Sequence, residues 1–345
     1  MTQCLQSLAT TNINTILNGF SFQNPIFVQL KQNTMHLLGI VWNPSEGLDL
    51  GFFMVRYYSL MFVVAFGLGW YIMKHIFDNE NEPIEKLDSL FIWTVIATLL
   101  GARLGHVIFY QPELFTQDPI SVFLPFKTQP TFQFTGFSGL ASHGATIAII
   151  IFMYYFSKKV MKRPLLWLLD RVVIPCASGA IFVRLGNFFN SEIYGHTTSG
   201  DSFYAVKFVR EEEFWMGRNV SQITGIADKN EAYHALQQNS QFSDVLAAIP
   251  FRHPSQLYEA FGYVFVFLVL FYGYWKTDMK EKQGLLFGLF LVLLFTVRFI
   301  VEFVKESQGG FESALGLLST GQWLSIPFII VGLYFIVKAK KVTYL

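Results

Sequence analysis

The chain has 345 residues, of which 52% are hydrophobic and 14% are charged, and its formal net charge is +1. This composition is too apolar for an ordinary soluble domain of this size and is typical of a polytopic membrane protein. The near-neutral charge and the lack of a basic arm give no reason to expect a nucleic-acid partner. Two cysteines without metal-ligand spacing exclude a disulfide framework and a cysteine–histidine metal site.

Residues 1–45 form a predicted N-terminal extension, whose first 24 residues are polar. They lack the basic start and apolar core of a cleavable signal peptide, so insertion is expected to use internal spans. A membrane-spanning helix needs about 20 mostly apolar residues. Seven stretches meet this requirement, at roughly 52–74, 88–110, 139–156, 165–190, 256–275, 284–305 and 321–338.

Two polar segments separate these spans. Residues 111–138 contain four prolines and are expected to form a loop or an interfacial arm. Residues 191–255 are long enough for a small subdomain, with a short strand predicted at 204–209. The predicted fold class is therefore an all-α polytopic membrane protein. Residues 46–345 form its seven-helix domain, with 191–255 inserted as an extracytoplasmic head.

The loop charges predict the orientation, because short cytoplasmic loops are enriched in lysine and arginine. The basic loop residues fall almost entirely on one side: Lys74, Lys86, Lys158, Lys159, Lys162, Arg163, Lys276, Lys280, Lys282, Lys338, Lys340 and Lys341. We therefore predict a cytoplasmic C-terminus, an outside N-terminus and an outside head.

With this topology, polar groups from six spans fall in the outer half of the membrane. Ionisable side chains inside a membrane usually face a cavity or a substrate. A single layer of such groups predicts one polar cavity open to the outer leaflet. The polar groups of this layer are Tyr57, Tyr58, Arg103, His106, His143, Arg184, Asn187, Asn190, Glu192, His253, Glu259, Arg298 and Glu302.

Three arginines in this layer, Arg103, Arg184 and Arg298, produce a strong field for an anion. The planar guanidinium of arginine binds phosphate through paired N–H donors. The simplest anion at this depth in the membrane is a phospholipid headgroup. Glu302 follows Arg298 by one helical turn and is placed to hold its side chain.

The motifs of several other chemistries are missing from the sequence. It has no HExxH pair, no GxSxG elbow and no P-loop. The polar layer, read as a site without metal or nucleotide, therefore favours group transfer from an activated anionic substrate whose phosphate leaves.

Each candidate also has a structural interpretation. Arg103 can serve helix packing through a carboxylate, and His143 can be a hydrogen-bonded residue at a helix end. Tyr58 can belong to the aromatic belt at the membrane interface. The glycine after His143 is expected to leave its ring room to approach a ligand.

Five sequence motifs carry a family resemblance. They are Gly-Ala-Arg-Leu-Gly at 101–105, Gly-Leu-Ala-Ser-His-Gly-Ala at 139–145, Arg-Leu-Gly-Asn-Phe-Phe-Asn-Ser-Glu-Ile-Tyr-Gly at 184–195, Arg-His-Pro-Ser-Gln-Leu-Tyr-Glu at 252–259 and Arg-Phe-Ile-Val-Glu-Phe at 298–303. In this order they resemble the prolipoprotein diacylglyceryl transferase family over roughly residues 50–340.

The resemblance implies a seven-helix enzyme of the bacterial cytoplasmic (inner) membrane. Such an enzyme transfers the diacylglyceryl group of phosphatidylglycerol to the thiol of a lipobox cysteine in a prolipoprotein signal peptide. A thioether forms and glycerol 1-phosphate leaves. The implied partners are phosphatidylglycerol, the prolipoprotein and membrane lipids, and no cofactor or metal is implied.

Site roles also follow from the resemblance. Arg184 and Arg298 are expected to bind the headgroup phosphate, with Arg103 and Glu302 in the same substrate site. His143 is the candidate base for the thiol, and Tyr58 lies near the reacting groups. Family members often have a tyrosine where this chain has Leu294. The residues expected to shape and orient the pocket are Asn187, Asn190, Glu192 and Gly195.

Three rival functions remain open from sequence. A transporter or flippase for an anionic lipid or solute predicts polar residues on both sides of the midplane and broken helices in matching halves. A lipid transferase with another acceptor would share the donor site. A structural scaffold leaves the three arginines unexplained.

Overall fold

A computed structural model describes residues 39–51, 54–124, 126–128, 131–134, 139–306 and 316–341. Within these ranges, seven helices are long and apolar enough to cross a membrane. The predicted all-α polytopic class is therefore confirmed. Residues 1–38 of the predicted extension lie outside the described residues.

The first third of the described chain holds two membrane helices and several short elements. In chain order these are β1 (Ile40–Trp42), β2 (Gly47–Asp49), β3 (Met54–Arg56), α1 (Tyr57–Asn79), α2 (Ile84–Tyr110), α3 (Leu114–Gln117), α4 (Pro119–Phe123), β4 (Phe126–Lys127) and β5 (Gln133–Phe134). The proline-rich segment 111–138 thus carries two short helices and a two-residue strand pair in its described part.

The remaining elements are five membrane helices, short helices between two of them, and three short strands. They are α5 (Ser142–Phe156), α6 (Leu165–Phe189), β6 (Val206–Phe208), α7 (Glu212–Trp215), α8 (Val220–Thr224), α9 (Lys229–Gln238), α10 (Ser243–Ala248), α11 (Ser255–Lys276), β7 (Lys282–Gln283), α12 (Leu285–Val301), α13 (Thr320–Lys338) and β8 (Lys340–Lys341). A π-helical turn, Ser157–Met161, extends α5.

The described chain divides into two compact units. One contains residues 39–48, 188–255 and 304–306, and the other contains 49–187, 256–303 and 316–341. The second unit holds nearly all of the membrane-helix residues. The division proposed from sequence, at residue 45, stays a prediction.

Glycines bring the membrane helices into close contact. Gly101 and Gly105 of α2 face Gly144 of α5, and a Cβ at Gly105 would lie 2.6 Å from the Gly144 Cα. Gly288 of α12 and Gly332 of α13 approach each other in the same way. Small residues drive helix association in membranes because they let backbones approach. Gly144 therefore serves helix packing, and its expected part in leaving room for the His143 ring stays a prediction.

Buried charges fix one end of the membrane unit. The Arg171 guanidinium pairs with Glu80 at 2.7 Å, and the Tyr274 hydroxyl donates to the same carboxylate at 2.9 Å. Asp170 accepts from the amides of Gly284 and Phe287 at 2.7 and 2.9 Å. These amides belong to the start of α12, where the first turn has no helical acceptor. Asp170 therefore caps that helix from α6.

Glu82, in the loop between α1 and α2, makes a second such anchor. Its carboxylate accepts from Lys86 at 2.8 Å and from Arg163 at 2.9 Å. Burial acts to raise the pKa of Glu82, but these two cations outweigh it and hold the pKa below its usual value. The charged carboxylate therefore stabilises the fold.

We predict that Glu82→Gln lowers the melting temperature in detergent at neutral pH, because the two cations lose their counter-charge. The pKa is lowered in the folded state, so the stabilisation is complete above the ordinary glutamate pKa and is lost as the pH falls through the lower, folded value. Melting curves of both proteins across an acid pH series check this. A difference that grows on acidification would contradict it.

The first unit has its own core and a parallel strand pair. β1 pairs with β6 in the register Ile40 to Val206, which confirms the strand predicted within 204–209 and attaches residues 40–42 to this unit. Its core contains Val209, Trp215, Val220, Ala232, Tyr233, Leu236, Phe242 and Ile249.

A buried arginine organises the polar interior of this unit. Arg252 contacts the carboxylates of Glu211, Glu213 and Glu306 and lies 4.5 Å from the ring centroid of Tyr194. Burial raises the pKa of Glu211, while the adjacent Arg252 opposes the rise. One guanidinium therefore holds together three parts of the chain that are far apart in sequence.

Candidate active site

Helix α6 positions the first two site residues. Arg184 and Asn187 are three residues apart and lie on one face of the helix. The Arg184 Nη1 donates to the Asn187 Oδ1 at 3.3 Å, and Asn187 is 3% exposed. The amide therefore orients the guanidinium from its own helix.

Glu259 of α11 supplies the counter-charge for Arg184. The Arg184 Nε lies 2.7 Å from the Glu259 Oε2, and the carboxylate is 1% exposed. Neither carboxylate oxygen meets a donor in hydrogen-bonding geometry among the described residues. The contact is thus an ion pair by distance with poor alignment. A buried ion pair of this kind is stabilising only while both partners are present.

Tyr263, one turn after Glu259, links the two predicted phosphate-binding arginines. The Arg184 guanidinium hydrogen-bonds to its hydroxyl, and both Arg184 and Arg298 interact with it electrostatically. A Cβ at the neighbouring Gly262 would lie 3.0 Å from the Val297 Cγ2, so α11 and α12 pack closely beside these residues. Both arginines therefore act electrostatically on the same tyrosine.

Arg298 differs from Arg184 in the hydrogen bonds that its guanidinium makes within the protein. Its Nε is buried and donates to no acceptor among the described residues. A buried donor without an acceptor carries a desolvation penalty that a bound anion would relieve. This donor is therefore placed to serve a ligand.

Glu302 lies in a helical turn directly after α12 and completes the acidic side of this cluster. It interacts electrostatically with Arg184. A Cβ at Gly321 of α13 would overlap its carboxylate, so this glycine gives Glu302 its space. The cluster thus contains two arginines, Arg184 and Arg298, and two carboxylates, Glu259 and Glu302. Its formal net charge is zero, and a bound anion would make this charge negative.

Tyr58 of α1 packs on the helix that carries Arg184. A Cβ at Gly186 would lie 2.9 Å from the Tyr58 Cδ2, so the ring covers that glycine directly. The structure therefore brings Tyr58 within two residues of Arg184 along α6. Its part in the reaction stays a prediction.

Arg103 is engaged by backbone carbonyls of the 111–138 segment. Its Nη2 donates to the Ser121 carbonyl at 2.7 Å and its Nε to that of Val122 at 3.3 Å. These bonds attach α4 to α2. The structure gives Arg103 this anchoring role, and its predicted contact with the lipid headgroup remains untested.

His143 stands in the first turn of α5 with an exposed side chain. Its ring contacts Phe109 at a centroid distance of 5.0 Å and Tyr110 at 6.0 Å. The imidazole is thus held by two rings at the end of α2. An exposed, ring-supported histidine can accept a proton, but no distance here ties it to the arginines.

Asn190, Glu192 and Gly195 belong to the first compact unit. Asn190 is exposed and Glu192 is half-buried. The Gly195 amide donates to the His253 carbonyl at 2.8 Å, and a Cβ there would overlap the Val304 carbonyl. Glycine is therefore required at 195 by backbone packing, while the predicted pocket roles of all three stay predictions.

Glu259 and Tyr263 were not among the predicted site residues. Glu259 lies in the motif at 252–259 and in the predicted polar layer, but the sequence predicts no specific role for it. The spacing Glu259 to Tyr263 puts both side chains on one helix face, and this signal was available in the sequence. Their partner Arg184 lies on another helix, which no local pattern reveals.

Comparison with known proteins gives consistent matches. The family model described as prolipoprotein diacylglyceryl transferase matches residues 46–338. A phosphatidylglycerol–prolipoprotein diacylglyceryl transferase of Tolumonas auensis is 34% identical over 88% of this chain and 98% of its own. Proteins of the same name from Chloroherpeton thalassium and Bacteroides fragilis are 33% and 34% identical, each over 95% of its own length.

Proposed function

The chain belongs to the prolipoprotein diacylglyceryl transferase family, and from this we infer that it transfers the diacylglyceryl group of phosphatidylglycerol to a prolipoprotein. It is a multi-pass membrane transferase. The transporter or flippase alternative finds no support among its relatives. We further assign the acceptor as the thiol of a lipobox cysteine and the location as the bacterial inner membrane, with the N-terminus outside and the C-terminus cytoplasmic.

The observation that carries the proposal is that Tyr263 interacts electrostatically with both Arg184 and Arg298. Two guanidinium groups, one with a buried donor that lacks an acceptor, suit a phosphodiester. Arg184 and Arg298 bind the headgroup phosphate, and Asn187 orients Arg184. Arg103, Asn190, Glu192, Gly195 and Glu302 complete the proposed substrate site.

The reaction is a displacement at carbon. The cysteine sulfur attacks the phosphate-bearing carbon of the diacylglycerol part, and a carbon–sulfur bond forms as the bond from that carbon to the phosphate oxygen breaks. The bonding electrons leave with the phosphate oxygen as glycerol 1-phosphate. The arginines stabilise the charge that grows on this leaving group, which lowers the barrier more than it strengthens ground-state binding.

The thiol proton needs an acceptor, because a free thiol has a pKa of about 8.5 and the thiolate is the nucleophile. We assign this role to His143, whose exposed imidazole stands at a helix start. Tyr58 is assigned to the reacting centre through its place beside Gly186.

We predict that His143→Phe and His143→Ala slow transfer about 100-fold or more and change the shape of the pH–rate profile. Phenylalanine keeps a ring against Phe109 and Tyr110 but cannot take a proton. Rates at saturating phosphatidylglycerol across a pH series check this. A phenylalanine variant with the wild-type profile would show that the ring serves packing and that the base lies elsewhere.

A purified-component assay tests the function itself. The protein is incubated with phosphatidylglycerol and a lipobox peptide, and the mass of the peptide is then measured by mass spectrometry. The expected result is a mass gain of one diacylglyceryl unit, with none on a peptide whose cysteine is replaced by serine. Unmodified cysteine peptide, with well-folded enzyme present, would refute the proposal.

A further inference from the structure

The membrane unit contains an apolar cavity that the headgroup site does not use. Its volume is about 460 Å³, and it lies among α1, α2, α5 and α6. The hydroxyls of Thr94 and Thr98 in its wall donate to backbone carbonyls of their own helix. The cavity therefore offers a ligand almost nothing but hydrocarbon surface.

The cavity wall on α6 reaches the residue that precedes Arg184. This wall runs from Val183, the residue next to Arg184, back to Val172. Eleven residues of helix span about 16 Å. The hydrocarbon core of a bilayer is about 30 Å thick, so the cavity has the depth of one leaflet.

One end of the cavity is closed. The wall residues Met73, Leu87 and Leu90 are between 2% and 5% exposed and belong to the packed core of the membrane unit. A ligand that reaches these residues would meet a closed wall. The cavity can therefore limit the length of its occupant.

The volume identifies the class of occupant. An apolar cavity of about 150 Å³ holds one benzene ring, so three times that volume suits an alkyl chain of roughly 18 carbons. A peptide helix about 10 Å wide and 16 Å long would need on the order of 1,200 Å³. The cavity is thus too small for the helical segment of a signal peptide.

We propose that this cavity receives one acyl chain of the donor lipid and sets the upper limit of its length. The proposal rests on the proposed function, because Arg184, the proposed headgroup ligand, directly follows Val183 of the cavity wall. It adds a selection by chain length to a site that otherwise selects by phosphate.

Two glycines in the cavity wall allow a sharp test. A Cβ at Gly69 would meet only the Pro175 Cβ at 3.6 Å, and one at Gly179 only the Ala65 Cβ at 3.8 Å. These are ordinary contact distances, so a Cβ fits at either position without a shift of the backbone, and a larger side chain there takes up space at the cavity wall. Gly67, on the same helix as Gly69 and outside the wall, has no neighbour within 4 Å and provides the matched control.

The first experiment compares Gly69→Leu, Gly179→Leu and Gly67→Leu with the wild type. Each transfers from phosphatidylglycerol with two 18-carbon or two 12-carbon chains. We expect kcat/KM for the long-chain lipid to fall at least about tenfold in the two wall variants. The short-chain lipid and the Gly67 variant should keep near-wild-type values. Equal chain-length profiles in all four proteins would overturn the proposal.

A second readout does not depend on transfer. Cys176 is exposed and lies in the cavity wall, and Cys4 is the only other cysteine in the sequence. In a Cys4→Ser protein, an apolar maleimide reports access to Cys176. Long-chain phosphatidylglycerol should slow labelling at least about threefold more than the short-chain lipid, and glycerophosphoglycerol should have no effect. Labelling that is equal with all three would overturn the cavity assignment, whereas absent transfer with clear protection would overturn only the proposed function.

Discussion

Arg184→Ala is expected to reduce diacylglyceryl transfer roughly 10³-fold or more, the scale on which arginines stabilise phosphate transition states. The Arg184 guanidinium supplies paired N–H donors to the headgroup phosphate and a positive charge that stabilises the leaving oxygen. The measurement is single-turnover transfer to a lipobox peptide, reported per folded enzyme. Activity within tenfold of the wild type would remove Arg184 from the chemistry.

Loss of stability must be separated from loss of chemistry in this variant. Arg184→Ala leaves the buried Glu259 carboxylate without its counter-charge. Breaking a buried pair in this way costs about 3–5 kcal/mol. The double variant Arg184→Ala with Glu259→Gln removes the orphaned charge, so its melting temperature should recover toward the wild type. Its activity should stay as low as that of the single variant. Recovery of both would make Arg184 a structural residue.

Arg298→Lys is expected to reduce transfer about 10- to 100-fold while leaving the melting temperature nearly unchanged. An ammonium keeps the charge but cannot reproduce the planar, bidentate contact. The Nε of Arg298 donates to no acceptor among the described residues, so little folding energy is lost with it. Arg298→Ala should lower transfer further. Both measurements use the same single-turnover assay and a thermal melt in detergent.

Arg171→Lys provides the matched control on the same bundle. Arg171 is 3% exposed and its guanidinium serves Glu80 and the Lys280 carbonyl. Replacing it should lower the melting temperature and leave transfer per folded molecule unchanged. If Arg298→Lys behaved like Arg171→Lys, the assignment of Arg298 to the phosphate would fail.

The membrane architecture was predictable because its signal is local. Twenty apolar residues in a row can span a bilayer whatever the rest of the chain does, and all seven spans were found in the described structure. The predicted helix starts differ from the observed ones by a few residues. The second span was predicted at 88 and begins at Ile84, directly after Pro83, whose fixed backbone suits the helix start.

The contacts between helices were not predictable from such local signals. Arg184 and Glu259 are 75 residues apart, and Tyr263 joins the cluster only because α11 and α12 pack at Gly262. The sequence places Arg184 and Arg298 at one depth and predicts Glu302 beside Arg298, but it does not reveal that Glu259 pairs with Arg184. The same limit explains Arg103, whose acceptors are backbone carbonyls that carry no sequence signature.

Only one strand of the β1–β6 pair was predictable from the sequence. The short strand at Val206–Phe208 was predictable from alternation, whereas its partner strand came from residues 40–42 of the predicted extension. Parallel pairing over more than 160 residues of chain leaves no local trace. Arg252 likewise gathers Glu211, Glu213 and Glu306 through contacts that composition alone does not reveal.

The central claim is most directly tested by a structure of the protein with phosphatidylglycerol bound in a lipid nanodisc. Our account predicts the headgroup phosphate between Arg184 and Arg298, with at least one nitrogen of each guanidinium about 2.7–3.2 Å from a phosphate oxygen. A well-ordered phosphate bound to neither arginine would contradict it.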